Sequence, residues 1–390
     1  MKLGILGGSF APVHNGHIFL AEKALAELKL DRVVFVPAFR SPFKLDAEGM
    51  EISAKDRIDM LAASIAGDYR FAIDICEIRR EGVSYTINTL EDIIERYLPD
   101  GKPALIIGDD LAVDFLKWRD SDKILKLADI TIAHRVNSEA VNYPFANITI
   151  ENETLDVSSH EIRRRISEGG DWQPFVPPGA AAIIKNRALY GYSGDLRPEL
   201  PPDSIIQRVE TAARETLSTE RFLHSRHTAL LSYDLCRRFG LDPMDGYLAG
   251  VAHDLAKQID NKQMLKIVKT AGMDISALEM DKPNLLHGKA AAVLLRERFS
   301  IHNKDVLEAV AIHTSGKENM APLAKVIFIA DKTEASRNIE PALRRMCRED
   351  TLDNILFAVL EKSIAKVQAK GMDVSEDTLR LLKKLKERKN

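Results

Sequence analysis

At 390 residues the chain is too long for one ordinary core, and its length argues for two or three domains. Apolar residues at 45% and charged residues at 29% belong to a globular chain rather than a disordered one. With 55 Lys and Arg against 58 Asp and Glu, the net charge of −3 argues against a surface built wholly to grip nucleic acid. From the N-terminus, short β-branched runs alternate with longer amphipathic stretches. The expected strands are Leu3–Leu6, Arg32–Val36, Phe71–Ile75, Ala104–Ile107 and Ile130–Ala133, and the helical patterns between them include Ile18–Leu28, Ala54–Ile65 and Ile87–Tyr97. Such alternation predicts an α/β Rossmann-like domain over residues 1–188, with a parallel sheet, right-handed crossovers and ligands at the carboxyl ends of the strands.

The grammar then changes. Residues 189–203 carry most of the Gly-, Pro- and Ser-rich string YGYSGDLRPELPPDS and read as a linker. Residues 204–390 are helical segments separated by short breaks, which predicts an all-α bundle. No apolar run approaches the roughly 18 residues that span a bilayer, and MKLGILGG lacks the core of a signal peptide. Cys76, Cys236 and Cys347 are odd in number and far apart, as reduced thiols would be. A cytoplasmic chain without membrane or nucleic-acid partners is expected, and a homo-oligomer stays open.

The first strand runs into Gly7-Gly8-Ser9-Phe10-Ala11-Pro12-Val13-His14-Asn15-Gly16-His17, and a helix follows. Paired glycines after a strand let a nucleotide approach the backbone. His14 and His17, at the start of the helix, can donate hydrogen bonds to phosphate oxygens there. Two glycines alone would be no more than a tight turn; the whole string reads as a phosphate cradle.

This string resembles the H-x-G-H signature of nucleotidyltransferases that transfer AMP from ATP, and the resemblance continues in order along the first half. Lys44 matches a phosphate-binding basic residue after the second strand. Ser84-Tyr85-Thr86-Ile87-Asn88-Thr89-Leu90 is similar to the S-Y-T-x-x-T-L segment of nicotinate-mononucleotide adenylyltransferases, and Gly108-Asp109-Asp110 with Trp118 to their G-x-D…W element. Val157-Ser158-Ser159-His160-Glu161-Ile162-Arg163 resembles their I-S-S-T-x-I-R motif, except that His160 replaces the usual threonine and is given no contact. The resemblance implies that a pyridine mononucleotide's phosphate attacks the α-phosphorus of ATP. His14 and His17 would hold the triphosphate, while Lys44 and Arg163 would neutralise charge building toward pyrophosphate. Ser158 and Ser159 occupy an N-cap position, so their helix can offer backbone donors to the same phosphates. Magnesium would arrive with ATP. Tyr85 and Thr86 would shape the pyridine pocket; for Trp118 that role and a plain core aromatic both stay open. Related pantetheine-phosphate enzymes usually carry Thr at the place of His14 and lack the S-Y-T segment, so nicotinate mononucleotide is the expected acceptor, with nicotinamide mononucleotide as the alternative.

The second half holds His253-Asp254 in a run of apolar residues, with His224, His287, His313 and Asp331 on separate segments. A charged pair on a buried helix face needs partners or a metal. Spacings of 29, 33, 26 and 18 residues (224 to 253, 254 to 287, 287 to 313, 313 to 331) suit about one ligand per helix of a bundle. Six imidazole and carboxylate donors exceed what one tetrahedral ion needs, and a dinuclear site bridged by Asp254 uses all of them. Without thiolate such a set suits iron, the first expectation, or manganese, magnesium or zinc. Lys257, one helical turn past Asp254, would face the same cavity and stabilise phosphate charge. His227 and His302 lack this context and are expected at the surface.

This half resembles the HD-domain phosphohydrolase superfamily. The strings RFLH, HD-x-x-K, LLHG, HTSG and IAD-x-x-E-x-x-R are similar to a bacterial branch that hydrolyses diadenosine tetraphosphate symmetrically to two ADP. That resemblance implies supporting or substrate contacts for Thr314, Glu334 and Arg337. The sequence thus predicts a bifunctional enzyme acting on ATP, nicotinate mononucleotide and diadenosine tetraphosphate. A metal-bound nucleotide sensor, or hydrolysis of another phosphoester, is the alternative for the second half.

Overall fold

The β-branched runs of the first half form a six-stranded parallel sheet, β1 Leu3–Gly8, β2 Arg32–Pro37, β3 Phe71–Ile73, β4 Ala104–Gly108, β5 Asp129–Arg135 and β6 Asn147–Asn152, in the order β3-β2-β1-β4-β5-β6. The computed structural model describes residues 1–40, 52–135, 142–152, 158–194 and 204–387. These fall into two compact units, one within residues 1–201 and one within 202–390. In the first, the helices that frame the sheet's carboxyl edge are α1 Asn15–Glu27, α2 Ala54–Ser64, α3 Thr86–Tyr97, α4 Ser159–Ser167 and α5 Pro178–Asn186.

Strand order reverses between β1 and β4, so the carboxyl ends of these two strands flank the crevice where such sheets take ligands. Both ends are glycine: Gly7 and Gly8 on β1, Gly108 on β4. The interior strand β2 is buried along its whole length, as a strand covered on both faces must be. β3 stops at Ile73, two residues before the expected end. Asp74 makes the last bond to β2, its N–H donating to the Phe35 carbonyl at 2.9 Å, while Arg96 grips its carboxylate at 2.7 and 2.9 Å and the Tyr97 hydroxyl donates to it at 3.0 Å. The sixth strand was not expected from the sequence. As an edge strand it buries Ile150 completely and leaves Ile148 43% exposed, so its apolar signal is thin.

The second unit is helical, built around α6 Ile205–Thr216, α7 Thr219–Arg238, α8 Pro243–Ala252, α9 His287–Phe299, α10 Lys304–Ile312 and α11 Pro322–Thr333. Glycines permit close contacts between its helices. A Cβ on Gly250 would lie 2.5 Å from the Ala229 Cα, so only glycine lets α8 press onto α7 there. A Cβ on Gly288 would lie 2.8 Å from the Val310 carbonyl, which seats the start of α9 against the end of α10. All three cysteines are buried and unbridged. No helix among the described residues is long and apolar enough to cross a membrane.

Candidate functional site

In the first unit β1 delivers the chain to an open cradle. A Cβ on Gly7 would meet nothing within 4 Å, so the space over the end of the strand is free. Phe10 turns the chain with a positive φ of 48° and is 1% exposed, its ring edge-on to Phe35 and His17 at 5.7 and 5.0 Å. Expected as a substrate contact, Phe10 is a core side chain that can offer a ligand only its backbone. His14 caps α1 in extended conformation, and its ring lies 3.7 Å from that of His17. The His14 backbone N–H donates to His17 Nδ1 at 3.2 Å, which puts the imidazole proton of a neutral His17 on Nε2. Gly16 leaves room for this pair, since a Cβ there would stand 3.0 Å from His14 Nδ1.

The Ser158-Ser159-His160-Glu161-Ile162-Arg163 string meets the cradle from 150 residues away. Ser158 caps α4 by accepting from the Glu161 N–H at 3.1 Å, Ser159 Oγ donates to the Pro12 carbonyl at 3.0 Å, and Arg163 Nη1 donates to the Ala11 carbonyl at 2.8 Å. Ser84 ties the next loop: its N–H donates to the Arg40 carbonyl at 2.9 Å and its Oγ accepts from the Phe39 N–H at 3.1 Å. Tyr85 caps α3 and Thr86 opens it. The Arg119 guanidinium stacks 4.7 Å from the centre of the Tyr85 ring, which brings the Trp118 segment to the Tyr85–Thr86 turn. Trp118 is half-buried and packs on Phe115 at 5.3 Å. A Cβ on Gly108 would stand 2.6 Å from Asp110 Oδ1, so glycine there makes room for that carboxylate. Lys44 lies outside the described residues.

In the second unit the six expected metal donors converge. His224 comes from the middle of α7, His253 caps the end of α8 with Asp254 next to it, His287 opens α9, His313 caps the end of α10, and Asp331 lies on α11. The His-Asp pair therefore sits on a helix end rather than along a helix face, and Lys257 follows on a turn whose N–H bonds the Asp254 carbonyl at 2.8 Å. Two groups of donor atoms, His224–His253–Asp254 and Asp254–His287–His313, each lie within 4.8 Å of one another and share Asp254. The two oxygens of Asp254 divide between them: Oδ1 is 3.1 Å from His287 Nε2, and Oδ2 is 3.5 Å from His253 Nε2. Asp331 Oδ1 adds to the first group, 3.1 Å from His224 Nε2.

Every imidazole is oriented from behind. His253, His287 and His313 donate Nδ1–H to the carbonyls of Gly250, Asn284 and Val310 at 2.7, 2.7 and 2.8 Å, and His224 Nδ1 meets Glu334 Oε1 at 3.0 Å. The tautomers are thereby fixed, and four Nε2 lone pairs point inward. Two of them face each other at 3.2 Å (His224 and His253) and two at 3.1 Å (His287 and His313). Lone pairs so placed repel unless they share a cation, and a set of four imidazoles with two carboxylates fits divalent metal. Burial and the neighbouring His253 and His287 rings hold His313 well below its ordinary pKa, in the neutral form a ligand requires. Burial opposes the charge of Asp254, yet the rings of His253, His287 and His313 hold its carboxyl well below the usual range.

Cations rim the group. Arg221 Nη1 reaches Asp254 Oδ2 at 2.9 Å, Lys257 Nζ lies 3.2 Å from His287 Nε2, and Arg337 Nη2 donates to Asp331 Oδ1 at 2.8 Å. Lys332 spans from the Asp331 carboxylate at 3.1 Å to the His313 carbonyl at 2.9 Å. Thr314 is half-buried directly after His313. His302 is exposed as expected, but His227 is not: it is 5% exposed, one turn along α7 from His224, and 3.4 Å from Glu334 Oε2. Its sequence context hid this because the partner carboxylate is 107 residues away. A third donor group, Asp74–Cys76–Asp92 in the first unit, already has its counter-ion, because Arg96 bonds both carboxylates.

Residues 5–165 match the Cytidylyltransferase-like family, and residues 221–336 match the HD domain. Over 190 residues the chain is 39% identical to a probable nicotinate-nucleotide adenylyltransferase of Borreliella afzelii (strain PKo), an alignment covering 49% of this chain and 97% of that relative. Through its first half the chain belongs to the nicotinate-nucleotide adenylyltransferase family. A second such relative, from Treponema pallidum (strain Nichols), is 37% identical over 204 residues, covering 49% of this chain and 99% of its own. A crystal structure of a predicted HD superfamily hydrolase involved in NAD metabolism from Clostridium acetobutylicum is 28% identical with a TM-score of 0.45, covering 46% of this chain and 96% of that one.

Three residues near these centres escaped the sequence reading. In the adenylyltransferase-family unit, Arg57 is 3% exposed and Nη1 donates to the carbonyls of Ser9 and Ala38, both at 2.8 Å. In the HD unit, Arg221 and Lys332 touch the metal donors. Arg221 had a local signal, three residues before His224 and so on the same helix face.

Proposed function

We propose that the first unit transfers AMP from ATP to nicotinate mononucleotide, giving nicotinate adenine dinucleotide and pyrophosphate, and that the HD unit hydrolyses diadenosine tetraphosphate symmetrically to two ADP. The first reading is carried by the kinship of 39% identity over nearly a whole adenylyltransferase-family relative. The geometry agrees with it, since the strings expected to grip ATP meet at one end of β1. No nucleophile on the protein is needed, because the acceptor's own phosphate attacks. The work is positioning and charge stabilisation. His17 offers Nε2–H, His14 lies against it, and α4 presents its capped N-terminus. Lys44 and Arg163 supply positive charge toward the leaving pyrophosphate, and Tyr85, Thr86 and Trp118 border the pyridine ring. Magnesium enters bound to ATP.

The second reading is carried by the divided carboxylate of Asp254. One divalent ion would be held by His224, His253, Asp331 and one oxygen of Asp254, the other by His287, His313 and the other oxygen. Iron is the first expectation for both, with manganese, magnesium or zinc as alternatives. When bound, such a pair supplies Lewis-acid stabilisation of an in-line attack by water on phosphorus. The protein's own residues do the rest. Glu334 and the three backbone carbonyls hold the imidazoles in register, and Lys257, on the side with fewer protein donors, can bind a phosphate oxygen. Arg221 and Arg337, whose side chains are 36% and 38% exposed, can neutralise the remaining phosphates of a long polyanion.

Chromatography of nucleotides after incubation of the metal-assayed chain with diadenosine tetraphosphate tests the second reading, beside Asp254→Asn. ADP alone, absent with the variant, supports it; an ATP and AMP mixture overturns the symmetry; no turnover with two bound ions overturns the substrate. For the first unit, pyrophosphate release from ATP with nicotinate mononucleotide is expected to exceed that with nicotinamide mononucleotide, and the reverse order would reassign the acceptor.

A further inference from the structure

We infer that Arg57 is a positioning residue for adenylyl transfer, one that shapes the phosphate cradle by turning backbone carbonyls out of it; this rests on the reading that the first unit binds ATP. The loop after β1 has three carbonyls held by side chains: Ser9 by the buried Arg57 at 2.8 Å, Ala11 by Arg163 at 2.8 Å and Pro12 by Ser159 at 3.0 Å. A carbonyl oxygen carries partial negative charge and would repel a triphosphate approaching Gly7. In a trans peptide the N–H points opposite to the C=O. Drawing the Ser9 carbonyl back to Arg57 therefore aims the Phe10 N–H to the other side, where backbone can bind an anion. Phe10 has φ 48°, a left-handed conformation that a residue with a side chain keeps only when its surroundings impose it.

Arg57 does more than hold one carbonyl. The same Nη1 bonds Ala38 O at 2.8 Å, and the Ala38 N–H donates to the Gly8 carbonyl at 2.9 Å, so the loops after β1 and β2 are joined through one buried guanidinium. At 3% exposure Arg57 lies behind the cradle and acts through the loop. Its helix is fixed in turn by Arg187, which bonds Asp56 and Asp59 on either side of Arg57 at 2.6 and 2.7 Å.

The test compares the unaltered full chain with Arg57→Lys, which keeps the charge on a shorter side chain that falls short of the two carbonyls, and with Arg57→Gln. Pyrophosphate release is followed while ATP and nicotinate mononucleotide are varied separately, with the thermal transition of each protein recorded. For Arg57→Lys, kcat/KM for ATP is expected to fall about 10- to 100-fold, with the KM for the mononucleotide within about twofold and the transition preserved. An ATP kcat/KM within about threefold of the unaltered chain, or a mononucleotide KM raised as much as that for ATP, overturns the proposal. Hydrogen exchange on the unaltered chain decides the matter if both variants unfold: ATP should slow exchange at the Phe10 amide, and unchanged exchange there overturns the proposal. An unaltered chain that releases no pyrophosphate removes the reading of the unit itself; an active chain with an equally active Arg57→Lys removes only the role of Arg57.

Discussion

The Nε2 atoms of His287 and His313 face one another at 3.1 Å, although each ring commits its only N–H to a backbone carbonyl behind it. Two lone pairs at that distance repel, and a cation that accepts both reverses the sign. Ions that bind the folded HD unit and not the unfolded chain stabilise it by about 2.7 kcal/mol at 100 times their Kd. At about 2–4 °C per kcal/mol for a unit of this size, a strong chelator should lower the corresponding calorimetric transition by about 5–10 °C for each ion it removes, and returning the metal should restore it. A transition that ignores the chelator would show that these donors hold no ion.

Asp254 is the one donor shared by both groups. Asp254→Asn keeps its volume and hydrogen-bonding reach but removes the anion that both ions would share. Metal analysis is expected to find the load reduced from two ions per chain to one or none. If the proposed hydrolysis uses both ions, it should fall at least about 100-fold. Dinucleotide synthesis should be unchanged. A variant that keeps both ions and most of its hydrolysis would remove Asp254 from the bridging role.

The position of His253 against His224 depends on a residue that is neither ligand nor charge. Gly250 lies one turn before His253, where α8 meets α7, and a Cβ there would stand 2.5 Å from the Ala229 backbone. Gly250→Ala must push the helices apart, at a cost of about 1–3 kcal/mol for overpacking, and must separate the two Nε2 atoms now 3.2 Å apart. A lowered transition temperature together with weaker metal binding by titration calorimetry is expected. Wild-type affinity in a destabilised variant would show that the ligand geometry does not depend on this contact.

Five of the six strands and the helical second half were legible in the sequence because periodicity and glycine punctuation report local burial. The metal donors were legible because histidines in apolar runs need an explanation that surface residues do not. What stayed hidden depends on partners far away in sequence. His227 reads as a surface histidine until Glu334 is placed beside it, and Arg57 reads as the polar face of an amphipathic helix until Ser9 and Ala38 bring their carbonyls to it. The strand Asn147–Asn152 escaped because, among its described side chains, only Ile150 is fully buried, which leaves too short an alternation to recognise.

His17 tests the cradle from its other side. Its Nδ1 accepts the His14 N–H at 3.2 Å, so a neutral ring carries its proton on Nε2 and has one donor to offer a phosphate oxygen. His17→Ala removes that donor and the ring packed on Phe10, while the backbone bond that starts α1, from the His17 N–H to the His14 carbonyl at 2.9 Å, is available to any residue. Loss of a donor aimed at developing negative charge typically costs about 10²–10³ in kcat, and synthesis of the dinucleotide should fall by that much or more. His17→Gln, which keeps an N–H donor on a side chain of similar reach, should recover part of the loss. Hydrolysis by the HD unit and the circular dichroism spectrum should be those of the unaltered chain. Undiminished synthesis by His17→Ala would move the triphosphate away from the loop after β1.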